Sequence, residues 1–186
     1  MNATVATGES DSTLRERLKA RVRDVPDFPR RGVLFKDITP LLADARAFGD
    51  CVAAMAAPWR GAALDAVCGI EARGFIFGAA LARVLDVGFV PLRKAGKLPA
   101  RTVGVDFQLE YASTRLEVHA DALAPDARAL IVDDVLATGG TLAAACALLE
   151  RLGAQVAGGS LVIELEFLRG RSHWRADAPL HSLIRY

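Results

Sequence analysis

The chain has 186 residues, a formal net charge of +1 and 3 cysteines. That length suits one domain with a substantial core, and the near-balanced charge gives no bulk electrostatic case for binding nucleic acid or a membrane surface. Cys51, Cys68 and Cys146 lie in apolar stretches. An odd count without metal-ligand spacing reads as reduced thiols in a cytoplasmic protein.

No apolar run is long enough to span a bilayer. The opening "MNATVATGESDST" lacks the basic-then-apolar order of a secretory signal. Its Ser, Thr, Gly and Asp content predicts a disordered lead over residues 1–12, with a single domain over 13–186.

In chain order, Ser12 or Thr13 can cap a short helix through Leu14, Leu18 and Val22. "PDFPRRGVLFKDITP" follows, a Pro- and Gly-rich shaped loop that nevertheless carries Phe28, Val33, Leu34 and Phe35. A helix is expected from Ala43 to Ala57, stopping near Pro58. Then strands and helices alternate: "LDAVCGI", "GFIFGAALARVL", "GFVPLR", "ALIVDDV", "TLAAACALLERLG", "SLVIELEF" and finally "HSLIRY". Short apolar strands alternating with helices predict an α/β fold whose central, mostly parallel sheet is covered by helices on both faces. Thr102 to His119 departs from this pattern and reads as an antiparallel hairpin with a polar tip.

Ligands of such sheets sit at the carboxyl ends of the strands. Three unusual segments fall there. "VDDVLATGGT" is neither a Walker loop nor a dinucleotide fingerprint. Ala137, Thr138, Gly139, Gly140 and Thr141 can still wrap a phosphate with N–H groups and two hydroxyls. Asp133 and Asp134 would repel that phosphate unless the ligand also offers hydroxyls or a magnesium ion, which points to a phosphorylated sugar. In "GIEARGFIFG", Glu71, Ala72 and Arg73 precede a helix, where backbone amides and one Arg suit a second anion. The alternative is a plain turn with Arg73 in a surface ion pair. In "PLRKAGKLP", Arg93, Lys94 and Lys97 surround a glycine; alone they could be a solvated face, but beside two anion loops they suit a pyrophosphate clamp.

Two further segments can act on a base. Glu110 and Tyr111 at the hairpin tip can close over a site, or simply face solvent. In "GVLFKDITP", Phe35 can stack on a flat heterocycle while the backbone of Leu34 and Lys36 reads its edge, or Leu34 and Phe35 can be core residues.

"LIVDDVLATGGT" resembles the phosphoribosyl-pyrophosphate motif of type I phosphoribosyltransferases. The resemblance to the adenine-specific branch runs from "PDFP" to "HSLIRY". It implies the type I phosphoribosyltransferase fold, with a flexible hairpin loop and a small hood from about residue 26 to 40 plus the C-terminal segment. It also implies transfer of phosphoribose from 5-phosphoribosyl 1-pyrophosphate to adenine, giving AMP and pyrophosphate in purine salvage. Asp133 and Asp134 would then take the ribose hydroxyls, partly with Mg2+ that is held mainly through the ligand. Residues 137–141 would take the 5′-phosphate. Glu71, Ala72, Arg73, Arg93, Lys94, Lys97 and Tyr111 would take pyrophosphate. Leu34, Phe35, Lys36 and Leu165 would enclose adenine, and Glu110 would assist proton transfer. Where the family pair Glu–Tyr is usually followed by Gly, this chain has Ala112. The family also implies a homodimer, with no nucleic-acid or membrane partner.

Relatives acting on 6-oxopurines usually carry an Asp where this chain has Ala137, which favours adenine. Two alternatives are a 6-oxopurine phosphoribosyltransferase and a nucleic-acid-binding regulator of the same fold that senses phosphoribosyl pyrophosphate. The near-neutral charge speaks against the regulator.

Overall fold

In the computed structural model of the chain, residues 11–109, 112–174 and 177–186 are described. They fall into two compact units, divided between Cys51 and Val52.

In the first unit, α1 spans Asp11–Lys19, so Asp11 and Ser12 of the expected lead are already helical. An Asp11–Arg15 ion pair of 2.7 Å staples that first turn. β1 (Arg23–Pro26) and β2 (Leu34–Asp37) form a two-stranded antiparallel sheet. Two charge pairs lock their register: Lys36 Nζ donates to Asp24 Oδ1 at 2.6 Å and Arg23 Nε to Asp37 Oδ2 at 3.0 Å. The helix expected over 43–57 is α3, which starts at Ala45 and runs to Ala56, and a short helix not foreseen, α2 (Thr39–Ala43), precedes it. Asp44 makes the break. Its backbone is extended, and its Oδ1 accepts from the N–H groups of Arg46 (3.1 Å) and Ala47 (3.0 Å), capping α3.

The second unit holds β3 (Ala66–Ile70), α4 (Gly74–Leu85), β4 (Gly88–Lys94), β5 (Thr102–Leu109), β6 (Ala112–His119), β7 (Arg128–Leu136), α5 (Gly140–Arg151), β8 (Gln155–Glu164) and β9 (Leu180–Arg185). The sheet order is β5-β6-β4-β3-β7-β8-β9. β4, β3, β7, β8 and β9 are parallel, and the β5–β6 hairpin extends the sheet antiparallel to β4 through Arg93 opposite Glu117 and Lys94 opposite Leu116. The predicted hairpin is therefore an edge of the main sheet. β3 is buried along its whole length, as expected where helices cover both faces. Ile70, Leu92, Leu116 and Ile131 of the strands pack with Leu148 and Leu149 of α5 in the core.

β8 begins earlier than the sequence suggests. The expected strand starts at Ser160, yet Gly158 and Gly159 already lie inside β8, where neighbours leave no room for a side chain. A Cβ on Gly158 would come within 2.6 Å of the Trp59 ring, and one on Gly159 within 2.5 Å of Leu180. No helix among the described residues is long and apolar enough to cross a membrane.

Candidate active site

The carboxyl ends of β4, β3, β7 and β8 lie side by side, and the three anion-suited segments leave from the first three of them. β7 is paired to β8 as far as Leu136, so Asp133 and Asp134 sit within the last turns of its pleat rather than beyond it. The chain then bends through Ala137 and Thr138 to Gly139, whose φ of +87° few other residues adopt without strain. α5 starts at Gly140 and no side chain caps it, so its first-turn N–H groups face the loop as anion donors. Ala137, Thr138, Gly140 and Thr141 are partly accessible.

The two acids are not ordinary surface carboxylates. Asp134 is buried and Asp133 half-buried. Protein atoms surround Asp133 closely even though some of its surface still reaches solvent, so its charge is poorly solvated. Burial, and then the neighbouring Asp134 charge, push the Asp133 carboxyl well above the usual range. Burial also raises Asp134, against the opposing pull of Arg73. Asp134 Oδ2 lies 2.8 Å from Arg73 Nε, close enough for charge pairing, but it makes no hydrogen bond. Asp133 Oδ1 accepts from the Asp134 N–H at 2.9 Å. Gly74, at the start of α4, makes room for this arrangement: a Cβ there would meet Val132 O at 2.8 Å and Asp133 Oδ1 at 2.9 Å.

The β3 and β4 segments are joined by Glu71. Its carboxylate accepts from Arg93 Nε (3.3 Å), Arg93 Nη2 (3.4 Å) and the Lys94 N–H (3.0 Å), with Lys97 Nζ at 3.7 Å. Arg93 Nη1 also donates to Lys97 O at 2.9 Å. Burial opposes the Glu71 charge, but the Arg93 and Lys94 hydrogen bonds outweigh it and hold its carboxyl below the usual range. Glu71 thus gathers Arg93 and Lys97 around one carboxylate, and Arg73 is drawn to the other acid pair. Cations held this way are positioned in advance for an incoming anion.

Two adjacent carboxylates, Asp133 partly accessible and Asp134 already paired with Arg73, could give a divalent cation one or two ligands. Among the described residues, however, no group of three or more His, Cys, Asp or Glu is gathered to hold a metal. Two carboxylates fit Mg2+ only as part of a coordination shell that other groups complete.

Of the residues expected to face a base, Leu34, Phe35 and Lys36 lie in β2 in the first unit. Leu34 is 48% exposed. Phe35 meets Phe28 edge-on, with ring centroids 5.1 Å apart. The aliphatic length of Lys36 is buried while its amine pairs with Asp24. Leu165, in the second unit, is nearly buried and donates its N–H to Leu136 O at 2.9 Å, which ties it to the end of β7. Glu110 and Tyr111 lie outside the described residues.

Sequence reasoning missed Gly74, Glu164, Gly170 and Arg171. Glu164 carries a legible signal, an acid at an inward position of an apolar strand. Gly74 and Gly170 are marked out only by neighbours distant in sequence, and Arg171 by its pairing with Glu164 and β9.

The sequence model of the phosphoribosyl transferase domain matches residues 42–177. Among curated proteins, the chain is 56% identical over 166 residues to the adenine phosphoribosyltransferase of Xanthomonas euvesicatoria pv. vesicatoria, covering 89% of each chain. Among solved structures it resembles adenine phosphoribosyltransferase from Rhodothermus marinus, with a TM-score of 0.90 and 46% identity over 94% of this chain and 99% of that one. It also resembles the Saccharomyces cerevisiae enzyme, solved with an imino-altritol bisphosphate and adenine, with a TM-score of 0.88 and 38% identity over 93% of this chain and 99% of that one.

Proposed function

Since the chain belongs to the adenine phosphoribosyltransferase family of phosphoribosyl transferase domains, we infer that it catalyses the reaction of adenine with 5-phosphoribosyl 1-pyrophosphate to give AMP and pyrophosphate. The observation that carries the site assignment is an acid pair beside an uncapped helix start, at one of four adjacent strand ends. A ligand with both a sugar diol and a phosphate satisfies the two halves of that arrangement; a simple phosphate satisfies only one.

N9 of adenine attacks C1 of the ribose as the C1–oxygen bond to pyrophosphate breaks, and the base gives up one proton. The chain needs no nucleophile of its own for this displacement. Ala137, Thr138, Gly139, Gly140 and Thr141 hold the 5′-phosphate, and Asp133 and Asp134 hold the 2′- and 3′-hydroxyls. The same two acids would help hold Mg2+ brought by the substrate, and that ion would neutralise charge on the leaving group. Arg73, Arg93, Lys94 and Lys97, with the backbone at Ala72, receive the pyrophosphate. The Glu71 carboxylate acts on those cations and not on the anion directly. Leu34, Phe35, Lys36 and Leu165 enclose adenine. Glu110 takes up or relays the base proton, and Tyr111 closes over the pyrophosphate. The same reading makes the enzyme a cytoplasmic homodimer.

The test is a base-specificity assay with phosphoribosyl pyrophosphate, run with magnesium and with a chelator. AMP should form from adenine only when the divalent cation is present. Preference for hypoxanthine or guanine would overturn the adenine assignment, and undiminished turnover in chelator would remove magnesium from the reading.

A further inference from the structure

After β8 ends at Glu164, the chain makes two short 3-10 turns, Glu166–Leu168 and Gly170–His173. Between them Arg169 takes a left-handed backbone with φ 53°. This turn brings Gly170 against the loop that follows β7. A Cβ on Gly170 would collide with the Ala137 carbonyl oxygen and lie 2.9 Å from Gly139 N, and a Cβ on Gly139 would collide with the Gly170 carbonyl oxygen. The two backbones are therefore in direct contact, with no space for a side chain between them. Gly139 also needs glycine for its own positive φ; Gly170 does not. The absence of a side chain at Gly170 serves the contact alone.

The turn is held by a buried charge. Glu164 is 4% exposed. Arg171 grips it with both prongs, Nε to Oε1 at 2.8 Å and Nη2 to Oε2 at 2.5 Å. The same guanidinium donates to Leu180 O at 2.9 Å and Ser182 Oγ at 3.1 Å, both on β9. The Arg171 hydrogen bonds outweigh burial and keep the Glu164 carboxyl below the usual range. One side chain thus ties the end of β8 and the edge strand to the turn that carries Gly170. A planar, bidentate pair of this kind fixes geometry in a way a single-point contact does not.

We propose that Gly170, held by the Glu164–Arg171 pair, is a positioning residue for the phosphate loop: it forms the rigid back wall that keeps the Ala137–Gly139 backbone aimed at the 5′-phosphate. This rests on the reading of residues 137–141 as the phosphate loop. Catalytic geometry tolerates only small displacement, and a shift of about 1 Å in a positioning contact can cost about 100-fold.

The test uses the full chain and three variants: G170A, R171K and R171Q. The readouts are the affinities for AMP and for adenosine, which differ by the phosphate, the KM values for phosphoribosyl pyrophosphate and adenine, and the thermal midpoint. If wild type binds AMP no better than adenosine, the phosphate-loop reading itself fails. If it does bind AMP better, G170A should weaken AMP by at least tenfold while adenosine affinity and the adenine KM change less than threefold. R171Q should show the same selective loss, and R171K should fall between it and wild type. A lowered midpoint with the wild-type AMP-to-adenosine ratio would mean a merely structural role and would overturn the proposal. Should G170A not fold, the Arg171 variants decide on the same criterion.

Discussion

Asp133→Asn should make the ligand-free protein more stable while removing most of its activity. The substitution keeps shape and keeps an Oδ1 that can accept the Asp134 N–H, now 2.9 Å away. It removes one of two adjacent carboxylates that share the pull of Arg73, itself 36% exposed and so partly screened by solvent. Burial raises both carboxyls, and the Asp134 charge raises Asp133 further. A carboxyl whose folded pKa is raised costs stability when ionised. That cost is full above the folded value and disappears as pH falls toward the unfolded one. Neutralising such a strained functional group stabilises proteins by about 0.5–2 kcal/mol, which for a chain of this size is a rise of about 1–8 °C in the thermal midpoint. Differential scanning of both proteins without ligand, from pH 8 to pH 4.5, measures it. The advantage of the variant should be largest at the alkaline end and shrink with acid. Glu71 and Glu164, whose carboxyls are held below the usual range, contribute stability that is present above their unfolded values and lost only as pH falls below them, so over this range they change little and do not mask the difference. In the same samples, kcat/KM should fall by about 100-fold or more, the order expected for losing a charged contact to the reacting ligand. A midpoint equal to or below wild type at pH 8 would refute the reasoning, because it would mean the acid pair carries no electrostatic strain.

Glu71→Gln should raise the KM for phosphoribosyl pyrophosphate by about threefold to tenfold through the loosened Arg93 and Lys97. Its stability should change by less than about 1 kcal/mol, since these cations are 31% and 52% exposed; an unchanged KM would release Glu71 from its positioning role. Gly158→Ala drives a Cβ into the Trp59 ring and to 2.8 Å from Pro179 O. Overpacking of this kind costs about 1–3 kcal/mol, so the melting temperature should fall by several degrees, and an unaltered melt would contradict the packing. Burial pushes the Cys51 and Cys68 thiols up to about 12, so a disulfide reagent at pH 8 should modify them only after denaturant is added; rapid modification of the native protein would show that they are accessible. Glu110→Ala should lower kcat far more than it weakens sugar-phosphate binding, and an unchanged kcat would take Glu110 out of the mechanism.

Particular residues show what was readable in the linear chain. The run Ala129 to Thr141 contains a strand, its two acids, the proposed phosphate loop and the helix start in unbroken order, so its chemistry is local and can be read without the fold. The same holds for β3, α4 and β4, whose apolar periods place them. Asp44 was harder to read: whether it continues the helix or breaks it from a short turn of helix before it depends on which of two competing backbone paths the side chain stabilises. Gly158 and Gly170 could not be read at all. A glycine in sequence signals freedom, and in both of these positions it records a neighbour brought from elsewhere, Trp59 in one case and Ala137 in the other. Glu71 shows the same division. Its place in an anion loop is a sequence fact, but that its carboxylate faces Arg93 and Lys97 rather than a ligand follows from β3 lying beside β4. Periodicity and motif order are short-range properties of the chain, so the sequence alone determined the α/β plan and the chemistry of each loop. Close approach and charge pairing join residues far apart along it, so tertiary structure alone decided which glycines are obligatory, which cations are held in place and what stands behind the phosphate loop.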